Sequence, residues 1–190
     1  SAAINNGGDG MSRLKILTYP DPKLKEISKP VEKFGAEMER LSNDMLETMY
    51  DAHGIGLAAP QVGRLLRFLV MDTRPKDETG RRYIYDEMTE LEQKIQQPLL
   101  IANPRILKGE GKQLFDEGCL SIPGIYETVE RFNYIELEYE DVYCKTLTLK
   151  TDGLLAVCIQ HEMDHLDGKL FIDRISFVKS NKIKNQIKKH

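Results

Sequence analysis

The sequence predicts an α+β protein, with antiparallel or mixed β-sheets around a central His-Glu-x-x-His helix and a further helix at the C-terminus. Apolar residues recur at three- and four-residue steps over 31–51 and again over 153–167. Short apolar or alternating runs occupy 65–71, 99–102, 134–139 and 147–149. These helices and strands do not alternate as the βαβ units that a parallel sheet requires.

In chain order, residues 1–10 are small and polar, with no basic or apolar stretch of a secretory leader. They read as a flexible tail or cloning scar ahead of Met11, and 11–190 as a single domain. Met38, Leu41, Met45 and Met49 share one helix face, and Gly54 stops that helix. Leu65 to Met71 is short and apolar, a buried strand. Residues 74–97 are highly charged and read as a surface loop with a helical turn near 87–96. Leu99 to Ala102 is a strand ended by Asn103-Pro104. Ile135 and Leu137 alternate with Glu136 and Glu138, and Leu147 and Leu149 alternate similarly, so these runs pair as a hairpin. Asp152 is positioned to cap the helix from Gly153 to Asp167, and Gly168 to end it. From Ser180, Ile183 and Ile187 lie four apart among lysines, an amphipathic helix with a solvated basic face.

The 190 residues suit one domain with its own core. With 27 Lys+Arg against 30 Asp+Glu, the net charge of −3 argues against a general nucleic-acid binder and so against DNA as a partner. No apolar run approaches the ~20 residues of a membrane span. Three cysteines do not make a disulfide framework. In a reducing compartment such as the cytoplasm they serve as core, metal ligands or catalysts.

The sharpest motif is His161-Glu162-Met163-Asp164-His165. Histidines at i and i+4 face the same way, so both imidazoles reach one metal ion while Glu162 touches its water. Leu154, Cys158, His161 and His165 form one stripe, so the metal face continues an apolar face. A catalytic site of this kind has three protein ligands and one open position. His53 adjoins a glycine turn and His190 ends the sequence, which leaves cysteine for the third ligand. Cys158 shares a helix with His161 at an awkward spacing. Cys144 lies in the hairpin turn. Cys119 sits in a glycine-containing loop from which it can reach the helix, or it is an ordinary buried thiol. Residues 54–63 carry three glycines but no Walker lysine and no preceding strand, so they resemble a nucleotide loop only superficially. The small residues let a backbone approach a ligand closely. There Gln61 is either a turn residue or a neutral donor to an oxyanion.

Three segments stand in order: GIGLAAPQ at 54–61, EGCLS at 117–121 and QHEMDHL at 160–166. Together they resemble the peptide deformylase family, over about residues 13–178, including Tyr19-Pro20-Asp21-Pro22 near the start. The resemblance implies a hydrolase that removes the formyl group from the N-terminal formylmethionine of nascent polypeptides and releases formate. It implies Cys119, His161 and His165 as ligands of one divalent metal ion, Fe2+ physiologically, with Zn2+, Ni2+ or Co2+ able to substitute. It implies Glu162 as general acid and base, with Gln61 and the Leu120 N–H as oxyanion donors. Gly56 would lie along the substrate backbone, and the methionine side chain would enter a pocket near Ile55, Leu154, Val157 and Cys158.

By the same resemblance the enzyme would act as a monomer near the ribosome exit, in a bacterial cytoplasm or an organellar matrix or stroma. The C-terminal helix is similar to that of the subclass common in Gram-negative bacteria and organelles. The 74–97 loop is longer than in many relatives, and Tyr126 falls where some carry an arginine facing the substrate. Arg131 is expected to support Glu117. Two alternatives use the same helix: a zincin-type endopeptidase, and an inert metal-stabilised binding module.

Overall fold

A computed structural model describes residues 13–189. The expected tail at 1–10, the domain start at Met11 and His190 lie outside the described residues. The elements are α1 (Ala36–Asp51), β1 (Gly56–Ala58), β2 (Phe68–Met71), α2 (Glu90–Gln93), β3 (Leu99–Glu110), β4 (Gln113–Cys119), β5 (Ile122–Arg131), β6 (Tyr134–Glu140), β7 (Thr146–Asp152), α3 (Gly153–Leu166) and α4 (Phe177–Lys188). Five strands form one antiparallel sheet in the order β1-β2-β3-β6-β7, and β4 and β5 pair as a separate two-stranded sheet. The α+β expectation is met.

The central sheet is covered on both faces where β2 and the start of β3 run. Leu69, Met71, Leu99 and Ile101 point to the face packed by Leu155, Ala156, Cys158 and Ile159 of α3. Phe68, Val70, Leu100 and Ala102 point to the other face, packed by Met38, Leu41, Met45 and Met49 of α1. Burial on both faces explains why these strands read as continuous apolar runs. On β6, Ile135, Leu137 and Tyr139 are buried while the intervening glutamates are only half-buried. A third cluster, with Ile122, Val129, Phe171 and Ile183, joins the β4–β5 sheet to the C-terminal segment.

Four expectations need correction. The strand at 99 does not stop at Asn103-Pro104 but continues to Glu110. Asn103 adopts a positive φ of 50° at a register shift against β6. Its amide substitutes for a strand partner: Oδ1 accepts from Val31 N–H at 2.8 Å and Nδ2 donates to the Val31 carbonyl at 3.0 Å. Asparagine tolerates that backbone and proline tolerates a bulge, so the pair bends the strand without ending it.

Asp152 occupies the first cap position of α3 but makes no capping bond with its side chain. Glu92 of α2 replaces it, accepting from the Leu155 N–H at 2.9 Å. The charged stretch before β3 is therefore not wholly a surface excursion, because Glu92 is 5% exposed. Finally, Cys119 ends a strand, not a loop.

Candidate active site

Three elements converge on one side of α3. His161, Glu162 and His165 come from the helix itself, Cys119 from the end of β4, and Gln61 from the one-turn helix Ala59–Val62 that follows β1. Among the described residues, Cys119, His161 and His165 form a group whose ligating atoms all lie within 4.8 Å of one another. The Cys119 Sγ is 3.4 Å from His165 Nε2.

His161 is oriented from behind. Its Nδ1 lies 2.8 Å from Glu117 Oε1, so Nδ1 carries the proton toward the carboxylate and Nε2 faces the other two donors. Arg131 holds Glu117 with two bonds of 2.7 Å, as the sequence led us to expect. Burial alone would raise the Glu117 carboxyl, but hydrogen bonds from Arg131 and His161 outweigh it and keep it below its usual range. Asp164 and Arg174 extend this chain and were not anticipated. The available signal was an aspartate on a buried helix, which requires a cationic partner.

The donor set fits a divalent metal. A thiol and two imidazoles suit borderline-soft ions such as zinc or ferrous iron. Burial and the neighbouring His161 push His165 well below its ordinary value, which keeps it neutral as a ligand must be. Burial would lower His161 too, but Glu162, Cys119 and Glu117 overcome it and drive it up. The negative field responsible attracts a metal cation equally. Glu162 Oε1, 3.8 Å from His165 Nε2, is buried and has no hydrogen-bond partner within the protein. Such an atom fits a group that exchanges protons with a reacting water.

Glu162 is otherwise enclosed. Burial pushes its carboxyl up to about 7 against the opposing pull of His161. Gly56 explains part of the enclosure: a Cβ there would sit 2.5 Å from Glu162 Oε2. The second glycine of GIGLAAPQ is thus required by the close approach of β1 to the helix carboxylate. Gln61 is 1% exposed. Its Oε1 accepts from the Ala58 N–H at 2.9 Å, which turns Nε2 toward Ser121 Oγ at 3.1 Å and Cys119 Sγ at 3.6 Å.

A cavity of about 510 Å³ opens above these groups. Ile55, Gly56, Gln61, Cys119, Leu120, Val157, Cys158, His161 and Glu162 all line it, while His165 lies 1% exposed beneath. Leu154 does not line it. It is half-buried and packs against the cluster between α3 and the sheet, because its position near the first turn of α3 sets it short of the pocket. The pocket position that the resemblance implied for Leu154 is therefore not met. Phe115, Ile122 and Tyr126 line the cavity without having been singled out as pocket residues, and the Tyr126 ring is packed over Gly118, where a Cβ would meet it at 2.5 Å. Cys158 is no ligand in this geometry; burial pushes its thiol well above the ordinary value, so it stays protonated.

The model of the polypeptide deformylase family matches residues 13–181. A peptide deformylase of Alkalilimnicola ehrlichii is 47% identical over 179 residues, 94% of this chain and 91% of the relative. The crystal structure of a peptide deformylase from Legionella pneumophila has 39% identity and a TM-score of 0.76, covering 93% of this chain and 96% of that one. One from Ehrlichia chaffeensis, in complex with actinonin, has 38% identity and a TM-score of 0.80 over the same shares. A match of this extent, in sequence and in structure, places the chain in the polypeptide deformylase family.

Proposed function

We propose that this chain hydrolyses the formyl amide at the N-terminus of nascent polypeptides, with Cys119, His161 and His165 holding the metal and Glu162 moving the proton. The convergence of one thiol and two imidazoles beside a buried, unpartnered carboxylate oxygen carries this reading. A divalent ion held by Cys119, His161 and His165 would supply Lewis acidity at this site.

The chain's own groups do the rest. Glu162 accepts a proton from the attacking water and later delivers it to the departing amine. One C–O bond forms and the amide C–N bond breaks, leaving formate and a free N-terminus. A carboxyl whose ordinary value is raised toward neutrality is suited to both directions of transfer. Gln61 is held by the Ala58 N–H with its Nε2 turned toward Cys119 Sγ and Ser121 Oγ, and with the Leu120 N–H it would stabilise the developing oxyanion. Gly56 lines the cavity beside Glu162, where the substrate backbone would run, and Ile55, Val157 and Cys158 offer an apolar wall to the methionine side chain.

Iron as the physiological metal, action near the ribosome exit, a monomeric state and a cytoplasmic location belong to the same proposal. Among the described residues no helix is long and apolar enough to cross a membrane. A structural metal module has no use for Glu162, and family membership favours formyl removal over internal peptide cleavage. Metal analysis paired with a formate-release assay on a formyl-methionyl peptide tests the reading. Cys119→Ala should lose metal and turnover together, while Cys158→Ala keeps its metal. Metal lost only from the second variant would reverse the ligand assignment.

A further inference from the structure

Helix α3 presents two stripes. Cys158, His161 and Glu162 face the catalytic cavity, with His165 beneath them; Gln160, Met163, Asp164 and, just past the helix end, Asp167 line a second cavity of about 350 Å³, with Arg131 and Arg174. A chain of alternating charges runs between the two sides. Arg174 grips Asp164 with Nε at 3.0 Å and Nη2 at 2.7 Å. Asp164 also accepts from Arg131 Nη1 at 2.7 Å, and Arg131 in turn grips Glu117, which meets His161 Nδ1. From this geometry we infer that Arg174 is a positioning residue for the metal centre, acting on His161 through Asp164, Arg131 and Glu117. The inference rests on the reading of His161 as a ligand.

The physical argument concerns how one guanidinium is shared. Arg131 serves two carboxylates, Glu117 and Asp164, and is 3% exposed in its side chain. Without Arg174, Asp164 would be a buried carboxylate left with Arg131 as its one cationic partner among the described residues. It would then draw Arg131 toward itself and off Glu117, because the attraction of an uncompensated buried charge is weakly screened. With Arg174 supplying a planar two-bond fork, the four charges sum to zero and Arg131 stays seated on Glu117. Glu117 then fixes the tautomer and ring orientation of His161, the role that outer partners of metal-bound histidines commonly have. Of the four, Arg174 alone reaches solvent appreciably: its side chain is 44% exposed, against 3–9% for the others. Its guanidinium meets solvent at the second cavity, so the outermost link can be removed and replaced from solution.

The test uses the full chain loaded with cobalt. Its visible spectrum reports ligand geometry, and its release to a chelator reports how firmly the site is held. Removing a direct partner of a metal ligand typically costs 10–100-fold in affinity, so Arg174→Ala, further out, should speed cobalt release about three- to tenfold. It should also alter the cobalt spectrum. Arg174→Lys, which keeps the charge but not the fork, should fall between. Millimolar ethylguanidinium should slow release from Arg174→Ala toward the parent rate, and urea at the same concentration should not. Should Arg174→Ala fail to fold, Arg174→Gln carries the same measurements.

A variant with the parent's spectrum and release rate overturns the inference, even where thermal stability falls, since Arg174 would then be only a structural tie. Cys119→Ala and His161→Ala serve as references: both should abolish the parent cobalt spectrum. If they leave it intact, the ligand reading itself fails and the inference falls with it.

Discussion

At the scale of single residues, the site depends on atoms being brought closer than ordinary side chains permit. Gly56 is the clearest case, since any β-carbon would meet Glu162 Oε2 at 2.5 Å and that oxygen belongs to an enclosed carboxylate. Gly56→Ala should displace Glu162 while leaving Cys119, His161 and His165 in place. A misplacement of about 1 Å at a reacting group can cost roughly 10²-fold in rate. We therefore expect kcat for formate release to fall by about that factor with metal content unchanged. Wild-type turnover in this variant would show that β1 does not constrain the carboxylate.

The same residue scale was the most legible in the sequence. His161, Glu162 and His165 declare themselves by spacing. Asp164 was hidden because its role depends on Arg174, which lies beyond the end of the helix and is brought back by the chain's turn at 171–173.

At the scale of elements, α3 is held at its first turn by a residue from a distant segment. Glu92 bonds the Leu155 N–H with Oε2 and the Thr89 N–H with Oε1. Gly153, at a φ of 63°, leaves room for that carboxylate, because a Cβ would sit 2.9 Å from it. Losing a helix cap costs about 0.5–2 kcal/mol. Glu92→Ala should lower unfolding stability by about 1–2 kcal/mol in urea titration. No change in the midpoint would mean that the N-terminus of α3 needs no partner.

Sequence periodicity could not reveal this cap, because it is a long-range bond, whereas Asp152 sits in the expected local position. It also missed β4 and β5. On β4 only Glu117 is fully buried and Leu114 is 70% exposed, so no apolar alternation marks the strand. Helices α1 and α3 were legible because their apolar faces pack on opposite sides of one sheet.

At the scale of the whole molecule, a buried charge cluster ties α1, the end of β2 and the charged segment together. Asp72 accepts from Tyr50 Oη at 2.6 Å and from Arg74 Nε and Nη2 at 3.0 and 2.8 Å. Arg82 stacks on the Tyr50 ring at 4.9 Å and donates to the Arg74 carbonyl at 2.6 Å. Burial alone would raise the Asp72 carboxyl, but the bonds from Arg74 and Tyr50 outweigh it and hold it below its usual range. The unfolded chain therefore binds the proton first as pH falls. The stabilisation is complete above the unfolded value of ~3.9 and is lost as pH drops through the folded one. Urea midpoints measured from pH 7 to pH 3 should fall at the acid end, and the fall should be shallower in Asp72→Asn. An identical acid limb in both proteins would remove Asp72 from the account.

The central claim is that the metal is held by Cys119, His161 and His165 while Glu162 moves the proton. Separating holding from chemistry tests it most directly: metal content and formate release measured together on Glu162→Ala. The predicted result is one metal ion per chain, as in the parent, with turnover reduced by roughly 10²- to 10⁴-fold, the range for loss of a general acid–base group. Formate release at the parent rate with full metal content would contradict the role given to Glu162.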